Sequence, residues 1–82
     1  MQKVRVLFFG AAADRAGTRE VELPAGEGVT LGELWAVLSR RHPDLSPIRE
    51  SLAFAINGEY ASEEEPVRPG DEVAVLPPVS GG

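Results

Sequence analysis

Residues 3 to 9, "KVRVLFF", alternate in character: Val4, Val6 and Phe8 share one face, while Lys3, Arg5, Leu7 and Phe9 share the other. That period of two predicts a strand. "TREVEL" (residues 18 to 23) alternates again, with Val21 and Leu23 pointing together. The two strands are expected to pair antiparallel across "GAAADRAG", a connection with room for one short helical turn stopped by Gly17. The pattern then changes to a helical one. Leu31, Leu34, Trp35 and Leu38 fall at i, i+3, i+4 and i+7 and form one buried stripe. Thr30 with Glu33 has the spacing of a capping box, Arg40, Arg41 and His42 suit the C-terminal end of the dipole, and Pro43 stops the helix. A second short helical turn is expected near Ser46 and Pro47. "LAFAINGEYA" reads as a hairpin about Asn57-Gly58, a type I′ turn signal. Pro69-Gly70 is the central pair of a type II turn, after which Glu72 to Leu76 form the last strand with Val73 and Val75 inward.

Five strands and one long helix at this size predict an α+β domain, a mixed sheet folded over a single helix. The long amphipathic element sits mid-chain, where it covers a sheet made from both ends. First and last strands lying parallel and adjacent give the ubiquitin-like β-grasp order. The division expected is a folded body over residues 1–76 and an extended tail over 77–82.

Composition narrows the roles open to such a domain. The chain has 82 residues, enough for one domain but with little apolar area to spare for a deep pocket of its own. Its 43% hydrophobic and 26% charged residues match a soluble globular protein rather than a disordered one. No apolar run is long enough for a membrane helix, and "MQKVRVLFFG" is too short and too alternating for a signal peptide, so the cytoplasm is the expected compartment and no membrane partner is expected. Eight Lys and Arg against 13 Asp and Glu leave a net charge of −5, the wrong sign for neutralising phosphates, so nucleic acid is not an expected partner. A basic surface on another protein suits this charge better. With no cysteine there is no disulfide, no thiolate catalysis and no Cys-based zinc site, and no metal is expected.

Candidate chemistry inside the body is sparse. His42 is the sole histidine and reads as an exposed helix-terminal cation, with no second histidine to make a dyad or a metal site. Glu63, Glu64 and Glu65 read as a solvated loop run rather than a catalytic carboxylate pair. "GAAADRAG" lacks the lysine and the spacing of a P-loop, and Trp35 belongs to the apolar stripe and so to the core.

The tail is different. "VLPPVSGG" runs from a core strand through Pro77 and Pro78, then Val79 and Ser80, to Gly81 and Gly82. A floppy terminus or an added scar would also be glycine-rich. Here, however, the glycines follow the last strand closely, two prolines stiffen the connection, and no tag-like sequence precedes them. A backbone without Cβ atoms threads a channel too narrow for other residues and presents an unhindered carboxylate to another protein's active site. Once activated as an acyl-adenylate, that carboxylate is open to a sulfur or nitrogen nucleophile. Beside it, Leu7, Phe9 and Leu76 are expected to meet at the end of the sheet from which the tail emerges, an apolar patch suited to docking unless a loop or helix of the same chain covers it.

"KVRVLFFG", the loop-closing "AGT", the hairpin "AINGEY" and above all "PGDEVAVLPPVSGG" resemble the MoaD family, the small sulfur-carrier subunits of molybdopterin synthase, over nearly the whole chain. The resemblance implies a β-grasp fold and a carrier whose terminal glycine, here Gly82, is adenylated by an enzyme related to the ubiquitin-activating enzymes. A sulfurtransferase then makes it a thiocarboxylate, which donates sulfur to a cyclic pterin phosphate inside the large subunit of the synthase. It further implies that Gly81 supplies the narrow backbone, that Pro77, Pro78, Val79 and Ser80 form the arm, and that Phe9, Tyr60 and Leu76 face the partner. ATP is used by the activating enzyme, and no cofactor is expected on this chain. The alternatives are a carrier serving thiamine, cysteine or tRNA thiolation, a protein modifier that forms isopeptide bonds, and a binding module whose tail has no chemistry. The alanine-rich "AAADRAG" is the one local departure, in a connection that relatives often make more charged.

Overall fold

The computed structural model describes residues 2–77. Strand β1 (Lys3–Phe8) leads through helix α1 (Ala11–Ala16) to β2 (Glu20–Pro24). A short β3 (Val29–Thr30) opens directly into helix α2 (Leu31–Arg41), and a 3₁₀ segment (Pro43–Ser51) follows. The chain closes with β4 (Ala53–Ile56), β5 (Glu59–Ala61), β6 (Pro66–Val67) and β7 (Glu72–Leu76). Five of the strands form one sheet in the order β2-β1-β7-β4-β5, in which β1 and β7 are parallel and every other pair is antiparallel. This is the β-grasp order that the pattern predicts.

The alternation in the sequence sorts the faces correctly. Val4, Val6 and Phe8 of β1, Leu23 of β2 and Val73 and Val75 of β7 are buried on the face that α2 covers with Leu31, Leu34 and Leu38. No polar or charged residue is buried among the described residues, so this core owes its stability to apolar burial and close packing. The Asn57-Gly58 turn has positive φ at both central residues, 51° and 87°, as a type I′ hairpin demands. The later turn is closed by the Asp71 N–H, which donates to the Arg68 carbonyl at 3.0 Å.

The start of α2 accounts for its free donors one by one. The Glu33 N–H donates to Thr30 Oγ1 at 3.2 Å, and the Thr30 N–H donates to Glu33 Oε1 at 2.9 Å, which completes the capping box. The Leu31 and Gly32 N–H groups, which a helix leaves without internal partners, donate to the carbonyls of Glu65 and Glu63 at 2.9 Å each. The acidic run is therefore more than the solvated loop the sequence suggests. Its backbone caps the helix, and the Glu63 carboxylate is paired with the Arg49 guanidinium.

Other differences are local. The sequence pattern gives five strands, and the structure adds the two-residue ladder of β3 with β6, in which Val29 faces Val67. Two residues carry no readable alternation. The helical turn expected near Ser46 begins at Pro43, whose missing N–H is no loss at a first helical position, and it buries Leu45. Trp35 lies at the margin of the core rather than within it: its ring is 5.7 Å from that of Phe54, and the Arg49 guanidinium stacks over both, 5.4 Å and 4.7 Å from their centroids. His42 is partly buried rather than exposed, because its ring stands edge-on to Phe8 at 5.7 Å.

Two substitutions separate these contributions. Leu34→Ala, at a site 2% exposed, is expected to cost about 2–5 kcal/mol by leaving a cavity between helix and sheet. Thr30→Ala, which removes one capping acceptor, is expected to cost about 1 kcal/mol. Urea unfolding of the three proteins gives both values, and equal losses would mean that the core of α2 is not where its stability resides.

Candidate functional site

The face of the sheet turned away from α2 carries the residues that sequence reasoning singles out. Strand register arranges it in rows, since side chains of paired residues share a face. One row runs Glu22, Arg5, Glu72 across β2, β1 and β7. The next runs Glu20, Leu7, Ala74, Ala55, Tyr60 across all five strands. Beyond it Leu76 faces Ala53, and the Phe9 N–H, donating to the Val75 carbonyl at 3.2 Å, continues the parallel register to set Phe9 beside Leu76.

The face thus divides in two. One half is an ionic ladder: Arg5 Nε donates to Glu20 at 2.8 Å and Arg5 Nη1 lies 3.5 Å from Glu72, while Lys3 Nζ lies 3.7 Å from Glu22. The hydrogen bond and charge of Glu20 hold the Arg5 guanidinium above its ordinary pKa. Exposed pairs of this kind set orientation more than they add stability. The other half is apolar and occupies the end of the sheet where β7 finishes.

Of the residues expected at an interface, Leu7, Phe9 and Leu76 come together at that end. Phe9 is 45% exposed, and Leu7 and Leu76 are each partly buried. Tyr60, 77% exposed, stands on the far edge strand, across a floor made by Ala74, Ala55 and Ala53. At about 4.8 Å per strand, three strand spacings separate it from Leu7 by roughly 14 Å. The result is a shallow apolar trough with Leu7 and Phe9 on one bank and Tyr60 on the other. The alanine floor is the part that sequence reasoning missed, although the two-residue turn at Asn57-Gly58 already puts Ala55 opposite Tyr60.

Pro77 is partly buried and lies against Gly10. Pro78, Val79, Ser80, Gly81 and Gly82 lie outside the described residues. Within those residues no group of three or more His, Cys, Asp or Glu side chains is arranged to hold a metal ion, and no helix is long and apolar enough to cross a membrane.

Three comparisons place the chain among known proteins. The model of the ThiS family matches residues 6–82. The human molybdopterin synthase sulfur carrier subunit is 35% identical over 83 residues, covering 98% of this chain and 94% of the relative. Among solved structures, a chain of the complex of subunits 1 and 2 of molybdopterin-converting factor from Helicobacter pylori superposes with a TM-score of 0.72 at 30% identity, covering 98% of this chain and 99% of the other. Small archaeal modifier protein 1 of Haloferax volcanii superposes with a TM-score of 0.85 at 28% identity, covering 96% and 100% of the two chains. With the sheet order already established, the chain belongs to the ThiS family, among the MoaD-like proteins of ubiquitin-like β-grasp fold.

Proposed function

We propose that this protein is a sulfur carrier of molybdenum cofactor biosynthesis, the small subunit of a molybdopterin synthase. The observation that carries this reading is the nearly full-length match to sulfur carrier subunits of that enzyme. The body over residues 1–76 serves as the handle and residues 77–82 as the reactive arm. The Gly82 carboxylate attacks the α-phosphate of ATP on a ubiquitin-activating-like adenylyltransferase, releasing pyrophosphate and leaving an acyl-adenylate. A sulfurtransferase delivers sulfur at the sulfide level to that carbonyl, with AMP as the leaving group. The resulting thiocarboxylate enters the large subunit, where its sulfur bonds to the cyclic pterin phosphate and water then cleaves the acyl–sulfur bond, leaving the sulfur on the pterin and returning Gly82 as the carboxylate to be recharged. All of this takes place in the cytoplasm, with ATP held by the activating partner rather than by this chain.

The geometry of the described residues supports the division of labour. The body presents its apolar trough at the end of the sheet where the arm begins. Leu7, Phe9, Leu76 and Tyr60 are the contacts proposed for the large subunit. Gly81 keeps the arm narrow, with Pro77, Pro78, Val79 and Ser80 holding it extended. A second reading, attachment to other proteins through Gly82, is favoured by the likeness to small archaeal modifier protein 1.

Intact mass separates these readings. Incubation with an activating enzyme, ATP and a sulfur source is expected to add the mass difference of one oxygen replaced by sulfur, and addition of large subunit and pterin precursor is expected to remove it. A gain that persists with precursor present assigns the sulfur to another acceptor, and adducts on lysines of other proteins assign the modifier role. Two variants test the parts. Gly81→Ile is expected to abolish thiocarboxylate formation with the unfolding curve unchanged, and normal formation would refute threading. Phe9→Arg is expected to weaken binding to the large subunit by about tenfold or more, by burying a charge without a partner, as isothermal titration would show.

A further inference from the structure

We propose that Gly10 is a positioning residue for the C-terminal arm: its missing side chain is the seat on which the Pro77 ring rests as the chain leaves the sheet. The functional weight of this seat depends on the carrier reading above, but its geometry does not. β1 and β7 are parallel and finish together, Phe8 opposite Val75, so the two chains must part at the same place. β1 does the turning. Gly10 has φ 54° and ψ −130°, and the Ala12 N–H donates to the Phe9 carbonyl at 3.0 Å, the arrangement of a type II′ turn with glycine at its first central position. The turn carries the chain into α1 and leaves the Gly10 α-carbon uncovered beside the end of β7.

Pro77 fills that space. A Cβ on Gly10 would lie 2.9 Å from Pro77 Cγ and 3.6 Å from its Cβ, so any side chain at residue 10 must push the ring away. The ring fixes φ of Pro77, and a residue that itself precedes proline is confined to extended backbone. Few torsions are then left to absorb a displacement. The place where the ring sits governs the direction in which the chain leaves the sheet. For a terminal carboxylate that must meet a phosphate in line, misplacement by about 1 Å costs up to two orders of magnitude in rate. The glycine that closes "KVRVLFFG" has no phosphate to cradle. It makes room for the arm.

The test is a double-mutant cycle on the full chain with Gly10→Ala, Pro77→Gly and both together, reading thiocarboxylate formation by an activating enzyme with ATP and a sulfur source. Gly10→Ala is expected to lower kcat about tenfold with KM nearly unchanged, because the body still binds the activating enzyme while fewer bound termini are aligned. Once the ring is removed by Pro77→Gly, Gly10→Ala is expected to cost little further, since the contact it disturbs is already absent. Alanine at positive φ also destabilises the turn, but this effect is the same with or without the Pro77 ring and is read separately in the unfolding midpoint. Additive losses in kcat, or a loss that only follows the midpoint, would overturn the proposal. Should Gly10→Ala fail to fold, the wild-type protein still decides it: nuclear Overhauser contacts between the Gly10 α-protons and the Pro77 ring are expected, and their absence would refute the seat. A wild-type chain that takes up no sulfur while showing those contacts would overturn the carrier reading and leave the seat standing.

Discussion

Everything distinctive about this molecule depends on the parallel pairing of its first and last strands. An antiparallel neighbour is reached by a tight turn, but a parallel one needs a long crossover, and here nearly the whole chain supplies it, with α2 laid across the inner face on the way. The pairing puts β7 at the middle of the sheet, between β1 and β4. It also fixes which residues accompany the exit of the chain, since Leu7 with Ala74 and Phe8 with Val75 leave Phe9 beside Leu76. The docking face and the root of the arm are thus parts of one register.

Much of this is legible in the sequence wherever a physical rule has a local signature. Alternation assigns Val4, Val6, Phe8, Val73 and Val75 to the core because each strand has one wet and one dry face. Thr30 with Glu33, and Asn57 with Gly58, are readable because a cap and a turn are built from neighbours. What escapes is built between distant segments. The ladder of β3 with β6 is two residues long, and the donors of Leu31 and Gly32 are satisfied by carbonyls more than thirty residues away, in a run of glutamates that reads as plain solvent-facing charge. Trp35 has the period of a core residue, yet the Arg49 stem and guanidinium share its place. No period announces that a cation from another element will cover a ring.

The site shows the same division. Leu7, Phe9 and Leu76 follow from alternation once the parallel pairing is assumed, and they do meet. Tyr60 stands apart from them, across alanines whose role is to be low. Small side chains draw little notice in a sequence because they offer no chemistry, but on a sheet they set relief. Gly10 belongs with them, since its contribution is the volume it leaves to Pro77.

The central place of β7 has a consequence for synthesis. Among the described strands the one that joins β1 to β4 comes last in chain order, so the sheet cannot close until Glu72 to Leu76 are in place. A chain cut short before that point has a gap in the middle of its sheet, with two unpaired strand edges and an uncovered core. Completion of the body and synthesis of the segment that precedes the glycines are thereby one event, and a cell that selects for folded copies of this domain also selects against those that end before the arm begins.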